Sequence, residues 1–316
     1  MIRRIGIAVL SLPLMLIGLL VLLWLLAMAR EHDTSIPATT TIVETRLGHV
    51  AATISGPADG PAILLVHGSA AWSGFWRDAA AHLAGQGWRV IAVDLPPFGY
   101  SDRDPQARYD RASQAARLSD LLGTAAGRPV VVLGHSFGAG AAAELALRHP
   151  DQVRQLVLVD AALGKLDPAA LSSAGLLGAA PVAQPLTAAT ITNPLALGPL
   201  MRSFISNKEA AAPWLETLRQ PMRRPGSTAA YAAWLPSLLS TNDGGLSWKS
   251  GELAKVRMPV AIIWGETDTV TPIAQGEALA KLMRPQHFVR LPGTGHIPHI
   301  ESPALFLKAL DGVLIR

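Results

Sequence analysis

The 316-residue sequence predicts an α/β fold in which a mostly parallel, doubly wound sheet carries an inserted helical lid. Short apolar, largely β-branched runs alternate with segments rich in helix formers, as expected when helices cover both faces of a parallel sheet. This alternation stops after Asp160 and resumes near Pro259, and the proline-rich residues between them show no strand pattern. A long apolar run at the N-terminus predicts one transmembrane helix ahead of the domain.

The N-terminal run covers residues 5–29 and contains no charged residue. At about 1.5 Å per residue, a helix of this length spans the ~30 Å hydrocarbon layer of a membrane. Arg3 and Arg4 precede the run and Arg30 follows it, so the positive-inside rule places the N-terminus in the cytoplasm and the remaining chain on the periplasmic or lumenal side. The tripeptide Ala27-Met28-Ala29 has the small-x-small form of a cleavage site, so removal of a signal peptide and secretion is the alternative.

The elements of the domain follow from composition and from the residues that interrupt it. Residues 31–47 are expected to form a polar stalk and the first strand, and residues 48–316 the domain itself, with 163–249 as its lid. Strands are predicted where apolar residues run between glycine, proline or aspartate: 42–46, 49–55, 62–66, 89–93, 129–133, 153–159, 259–264 and 287–291. Helices are predicted where helix formers dominate: 74–84, 109–122, 139–149, 273–283 and 303–314, besides short helices in the lid.

Charge and composition exclude several classes of function. The net charge is +4 and the calculated pI about 9.7, but the basic residues are scattered without a basic-aromatic stripe, which argues against nucleic-acid binding. The absence of cysteine excludes disulfides, thiolate zinc sites and cysteine nucleophiles. No metal-ligand spacing, phosphate loop or dinucleotide fingerprint is present, so no metal and no cofactor is expected.

The pentapeptide Gly134-His135-Ser136-Phe137-Gly138 lies between a predicted buried strand and a predicted helix. A bare Gly-x-Ser-x-Gly would arise by chance in roughly one chain in ten of this length, so the context carries the argument. Between a strand and a helix, the serine occupies a tight turn with its Oγ exposed, and the glycines let the two backbones approach closely. Ser136 is therefore the predicted nucleophile.

A serine nucleophile needs a base, and in this arrangement the base is a histidine after the late strands. His287 falls inside a predicted strand, and His299 follows a proline at the start of the last helix. His296 lies in a glycine-containing loop just past the final strand, at the carboxyl edge of the sheet where ligands bind. His296 is the predicted base.

The acid that orients the histidine should follow an earlier strand on the same edge. Asp268 lies just beyond the predicted strand 259–264, and Asp160 ends the preceding strand 153–159. Chain order and position favour Asp268, with Asp160 as its rival.

Backbone N–H groups are expected to stabilise the oxyanion of a tetrahedral intermediate. The Phe137 amide opens the helix that follows Ser136, called the elbow helix below, where free amides and the helix dipole favour negative charge. The second donor is expected after the turn that follows strand 62–66, from Ser69, with Ala70 as the alternative.

The chain resembles the α/β-hydrolases, the large family that includes esterases, lipases and meta-cleavage C–C hydrolases. The resemblance covers residues 48–316 apart from the lid. The matching segments, in the family's order, are His67-Gly68-Ser69, Asp94-Leu95-Pro96-Pro97-Phe98-Gly99-Tyr100-Ser101-Asp102, Gly134-His135-Ser136-Phe137-Gly138, Gly265-Glu266-Thr267-Asp268-Thr269-Val270-Thr271-Pro272 and Gly295-His296-Ile297-Pro298-His299-Ile300-Glu301-Ser302-Pro303. It implies a serine hydrolase with the triad Ser136, Asp268 and His296.

The resemblance also narrows the reaction. Dehalogenase and epoxide-hydrolase relatives have aspartate at the position of Ser136, which argues against both activities. C–C hydrolase relatives commonly have asparagine where this chain has His135, which favours hydrolysis of a carboxylic ester, with C–C bond hydrolysis as the alternative. A non-catalytic, membrane-anchored binding protein is the alternative from a different class.

Aromatic residues of the lid and of the loop after strand 62–66 predict an apolar pocket for a small-molecule ester. The residues chosen as its lining are Trp72, Trp214 and Trp234, although packing in the core explains each of them as well. The sequence gives no indication of the oligomeric state.

Overall fold

The computed structural model describes residues 2–163, 180–239 and 244–315, without the side chains of residues 2–13, 180, 181 and 239. The described residues form a sheet of eight strands: β1 (Thr40–Thr45), β2 (Gly48–Ser55), β3 (Ala62–Val66), β4 (Arg89–Val93), β5 (Val130–His135), β6 (Val153–Val159), β7 (Val260–Gly265) and β8 (His287–Leu291). Their order is β1-β2-β4-β3-β5-β6-β7-β8. Only β2 is antiparallel to its neighbours, so the predicted mostly parallel sheet is confirmed.

Helices cover both faces of this sheet. Those outside the lid are α1 (Ile2–Arg30), α2 (Arg77–Gly85), α3 (Arg111–Ala125), α4 (Phe137–Arg148), α10 (Ile273–Met283), α11 (Pro298–Glu301) and α12 (Pro303–Val313). Alternate residues of β3 enter separate cores: Leu64 and Val66 pack on the side of α3 and α4, and Ile63 and Leu65 on the side of α2 and α12. Because both faces are buried, the strands are continuous apolar runs rather than alternating ones.

Between β6 and β7 the described residues are helical, as predicted for the lid. The lid helices are α5 (Ala180–Ala189), α6 (Pro194–Phe204), α7 (Leu215–Arg219) and α8 (Ser227–Leu239), followed by the short α9 (Ser250–Leu253). Residues 164–179 and 240–243 of the predicted lid lie outside the described residues.

Both ends of the lid are held by buried charged side chains of the helices beneath it. Arg111 donates to the carbonyl of Ala162 at 2.7 Å and to Ser247 Oγ at 3.2 Å. The carboxylate of Glu144 in α4 accepts the amide of Ser247 at 2.8 Å. The chain therefore leaves and re-enters the domain at one place, directly above the elbow helix.

Helix α1 contacts the lid, and Trp24 Nε1 donates to Gln184 Oε1 at 3.1 Å. Residues 31–39, predicted as a polar stalk, have no regular structure and follow the lid: the Glu31 carboxylate accepts the Thr228 amide at 2.7 Å, and the Asp33 amide donates to the Arg223 carbonyl at 3.0 Å. Among the residues whose side chains are described, no helix has the length and hydropathy needed to cross a membrane. The predicted transmembrane span is therefore unsupported.

Candidate active site

Ser136 lies at the sharp turn between β5 and α4. Its backbone is strained, with φ +50° and ψ −121°, a conformation that residues other than glycine rarely adopt. A Cβ on Gly134 would lie 2.6 Å from Ala139 Cα, and one on Gly138 would lie 2.2 Å from the carbonyl oxygen of His67. The two glycines are thus required by close backbone approach, as the sequence predicted.

The three residues predicted as a triad form one hydrogen-bonded chain. His296 Nε2 lies 2.8 Å from Ser136 Oγ, and His296 Nδ1 lies 2.8 Å from Asp268 Oδ2. All three side chains are largely buried. They follow the ends of β5, β7 and β8, which the parallel sheet brings to one edge. Ser136 and His296 are 160 residues apart in the sequence.

Asp268 is built to carry negative charge. Its Oδ1 accepts the amides of Val270 and Thr271 at 2.7 and 3.0 Å, and its Oδ2 accepts the Thr271 hydroxyl at 2.6 Å. Burial opposes ionisation, but the hydrogen bonds from His296 and Thr271 more than offset it and hold the pKa of Asp268 below its ordinary value. An ionised Asp268 accepts from Nδ1–H and so leaves Nε2 free to take the serine proton.

Asp160, the rival acid, lies deeper beside Asp268. Its Oδ1 accepts the Gly265 amide at 2.8 Å. In the described part of the chain, His296 Nδ1 contacts Asp268 and Thr271 rather than Asp160. The geometry therefore agrees with the choice of Asp268, whose catalytic role stays a prediction.

The predicted oxyanion donors lie on two sides of the nucleophile. The Phe137 amide is the first of α4, where no intrahelical acceptor exists. On the other side, a Cβ on Gly68 would lie 3.1 Å from Ser136 Cβ, so the Gly68–Ser69 peptide runs against the nucleophile. Phe137 and the Gly68–Ser69 peptide thus flank Ser136, and the role of their amides as oxyanion donors stays a prediction.

His67 fixes the orientation of that peptide. The Leu95 amide donates to His67 Nε2 at 2.9 Å, so the ring proton is on Nδ1, which donates to the Gly68 carbonyl at 2.7 Å. Burial lowers the pKa of His67 to about 4, which keeps the ring neutral and this tautomer in place. Since C=O and N–H point in opposite directions across a trans peptide, holding the Gly68 carbonyl directs the Ser69 amide away from His67.

His135 supports the loop that carries His296, whereas the sequence used His135 only to distinguish classes of hydrolase. Its Nε2 lies 2.7 Å from the carbonyl oxygen of His296 and therefore carries the proton. Burial lowers the pKa of His135 to about 3, so the ring is neutral. The neighbouring His299 is buried and stacks on Trp76 with 4.1 Å between ring centroids.

The His296 loop is also attached to the lid, a contact that sequence reasoning missed. The His296 amide donates to the Phe204 carbonyl at 2.9 Å. Glu301, which is 4% exposed, accepts the Ser206 amide at 2.7 Å and the Ile297 amide at 3.3 Å. Glu301 follows His296 by five residues, but its partner in the lid is 95 residues away, so no local signal marks the contact.

The predicted pocket residues are buried between lid and sheet. Trp72 Nε1 donates to the Thr217 carbonyl at 2.6 Å, and the Arg77 guanidinium lies 3.9 Å above the ring of Trp214. Trp234 packs edge-on against Phe137, with ring centroids 5.4 Å apart. Trp72 and Trp214 thus fasten the lid, whereas Trp234 lies next to an oxyanion donor; their role as substrate contacts stays a prediction.

Comparison with known proteins agrees with the fold. A family model described as the alpha/beta hydrolase fold matches residues 61–303, and the chain belongs to this family. Among its relatives, a 2-hydroxymuconate semialdehyde hydrolase from Pseudomonas sp. (strain CF600) is 29% identical over 259 residues, or 80% of this chain and 86% of the relative.

Solved structures of the same fold include both lipid-related and other hydrolases. A putative lipase from Acinetobacter baumannii is 21% identical with a TM-score of 0.71, covering 86% of this chain and 89% of that one. A bacterial membrane phospholipase A is 24% identical with a TM-score of 0.68, covering 98% of this chain and 99% of that one. At this identity the likeness to these structures shows the fold alone.

Proposed function

We propose that the protein is a serine hydrolase that cleaves carboxylic esters with a fairly apolar acyl or alcohol part. The observation that carries the proposal is the chain of two 2.8 Å hydrogen bonds from Asp268 through His296 to Ser136. This chain ends at Ser136, which lies in a strained turn next to Phe137 and against the Gly68–Ser69 peptide, the two candidate sources of oxyanion donors.

In the proposed reaction Ser136 Oγ attacks the acyl carbon while His296 Nε2 takes its proton. Asp268 stabilises the imidazolium, and the amides of Phe137 and Ser69 hold the oxyanion. The imidazolium then protonates the leaving alcohol, and an acyl-enzyme remains. Water attacks this ester by the same proton path and releases the acid, which restores Ser136.

An apolar substrate is supported by the buried aromatic residues above the elbow, of which Trp234 packs on Phe137. The likeness along 98% of the chain to a protein described as a membrane phospholipase A supports a glycerolipid ester in particular. C–C bond hydrolysis by the same triad is the second candidate, favoured by the 29% identity to a 2-hydroxymuconate semialdehyde hydrolase.

We also propose that α1 holds the protein at a membrane, with the domain on the periplasmic or lumenal side. From residue 14 onward α1 exposes many large apolar side chains, among them Leu14 at 68% and Met15 at 70%. The charge-free residues 5–13 continue this helix, and two arginines precede them. Protease added to intact spheroplasts should digest residues 31–316 and spare the N-terminus; a mature chain that begins at Arg30 would show a cleaved signal peptide instead.

The reaction is tested by assaying the full-length chain on p-nitrophenyl esters from acetate to dodecanoate, beside phosphatidylcholine vesicles and 2-hydroxymuconate semialdehyde. We expect ester turnover whose kcat/KM rises with acyl length, by up to about fourfold per CH₂, since each buried CH₂ contributes about 0.8 kcal/mol. Ser136→Ala is the matched control and should be inactive throughout. Turnover of the semialdehyde without turnover of any ester would favour the C–C alternative and contradict the proposal.

A further inference from the structure

Asp160 is a buried carboxyl group that the proposed reaction does not use. It ends β6 in a left-handed backbone conformation, with φ +42°, and is fully buried. Its amide donates to the Ile263 carbonyl at 3.1 Å, and its Oδ1 accepts the Gly265 amide at 2.8 Å. Both contacts join the end of β6 to the end of β7, so the side chain is fixed beside the loop that carries Asp268.

The second oxygen of Asp160 has an unusual neighbour. Within the described residues, Asp160 Oδ2 is buried and accepts no hydrogen bond from a backbone amide, a hydroxyl or a basic side chain. The neighbouring carboxyl is that of Asp268, a hydrogen-bonding side chain for Asp160. The Thr271 hydroxyl bridges the two residues, 3.2 Å from the Asp160 carbonyl oxygen and 2.6 Å from Asp268 Oδ2. Two carboxyl groups can form a hydrogen bond only when one of them holds a proton.

The surroundings decide which of the two holds that proton. Asp268 receives four hydrogen bonds, from the amides of Val270 and Thr271, the Thr271 hydroxyl and His296 Nδ1. Asp160 receives one, from Gly265. A carboxylate is stabilised by the number of donors around it, so Asp268 is the ionised partner and Asp160 the protonated one.

We propose that Asp160 is a neutral positioning residue, which donates its carboxylic acid O–H to Asp268 and so fixes the carboxylate that orients His296. The pair then carries one negative charge, which is the charge that the imidazolium requires. Among the acidic groups, Asp268 and, more weakly, Glu301 act on Asp160. The titratable His296 is hydrogen bonded to Asp268. Burial, followed by the negative charge of Asp268, raises the pKa of Asp160 well above its ordinary value, in the direction that this arrangement requires.

Asp160→Asn is the decisive variant, because an asparagine keeps an acceptor oxygen for Gly265 and offers an N–H to Asp268 in place of the O–H. The kinetic test rests on the proposed function and follows kcat/KM for a p-nitrophenyl ester against pH. We expect Asp160→Asn to stay within about threefold of the wild type near pH 7, with the acid limb of the profile unmoved. Asp160→Ala, which lacks the donor, should lose about tenfold or more in kcat.

A charged Asp160 predicts the opposite result. Its replacement by asparagine would remove a negative charge near His296, lower the pKa of the acid limb by about one unit and reduce activity as strongly as alanine does. Either outcome would overturn the proposal. If Asp160 served only folding, the variants would differ from the wild type in melting temperature, but Asp160→Asn and Asp160→Ala would not differ from each other in kcat.

An infrared difference spectrum tests the proton without any turnover. At neutral pH the wild type minus Asp160→Asn should show the C=O stretching band of a protonated carboxylic acid. Absence of that band would overturn the proposal even if the ester assay succeeds. A band in a protein that hydrolyses no ester would instead leave the proton on Asp160 established and contradict only the proposed function.

Discussion

The attachment of the catalytic loop to the lid through Glu301 makes a prediction for both stability and turnover. Glu301→Ala removes the acceptor of one short hydrogen bond, from Ser206 at 2.7 Å, and of weaker ones from Ile297 and Asn207 at 3.3 Å. A hydrogen bond to a charged group contributes about 1.5–3 kcal/mol, so one full bond and two weak ones amount to about 2–4 kcal/mol. Domains of this size lose about 2–4 °C per kcal/mol, which predicts a melting temperature lower by roughly 5–15 °C.

The same change should reduce kcat. His296 Nε2 must stay within hydrogen-bonding distance of Ser136 Oγ, and a displacement of about 1 Å in such a contact can cost a hundredfold. We therefore expect kcat to fall about tenfold to a hundredfold for a p-nitrophenyl ester, measured well below the new melting temperature. Glu301→Gln keeps one acceptor oxygen, so its kcat and melting temperature should lie between those of Glu301→Ala and the wild type.

Glu277→Ala is the matched control, because Glu277 is 39% exposed and pairs with Arg290 on the surface. An exposed ion pair contributes below about 1 kcal/mol, so this variant should melt and react nearly as the wild type does. Thermal unfolding followed by circular dichroism and steady-state kinetics provide both measurements. A Glu301→Ala protein with the wild-type kcat would refute the inferred coupling between the lid and the catalytic loop.

Four further substitutions test the site and the core. Asp268→Asn should lower kcat by about 10³ to 10⁴ in steady-state ester hydrolysis, as in triads whose acid is made neutral, and an unchanged kcat would exclude it as the acid. Gly138→Ala places a Cβ 2.2 Å from a backbone oxygen and should abolish soluble, active protein, whereas Gly123→Ala in α3 has nothing within 4 Å and should stabilise the fold by up to about 1 kcal/mol in urea unfolding. Burial lowers the pKa of His299 well below its ordinary value, so only the unfolded chain takes up its proton as the pH falls through about 6.5. Stability is then lost toward acid, and His299→Phe should reduce the loss of unfolding free energy between pH 7 and pH 5 by about 2 kcal/mol; an equal loss in both proteins would show that His299 titrates normally.

The sheet and the arrangement of Ser136, His296 and Asp268 could be predicted because local signals mark them. Apolar runs identified the strands, with boundaries off by about two residues where the pattern is weak. The elbow helix begins at Phe137 rather than at 139. Phe137 and Gly138 are poor helix formers, so composition did not assign them to the helix, although they form its first turn. Helix α3 begins at Arg111 rather than at 109, after Asp110, whose side chain caps the helix by accepting the Ser113 amide at 2.8 Å.

The arrangement of the lid and the supports of the site could not be predicted. Pro185, Pro199 and Pro236 lie inside lid helices, where packing against the rest of the domain outweighs their cost to the helix, so proline did not mark the helix ends. The contacts of His135 with His296 and of Glu301 with Ser206 join residues 161 and 95 positions apart. Such contacts depend on the folded topology, and no periodicity of the sequence encodes them.

The central claim is that Ser136 is a nucleophile activated by His296 and Asp268. A fluorophosphonate should form a covalent adduct with the native protein, seen as a single mass increment and located by peptide mapping. We expect the adduct on Ser136, slower labelling of Asp268→Asn, and none of Ser136→Ala. Labelling of Ser136→Ala at the wild-type rate, or an adduct on another residue of the wild type, would contradict the claim.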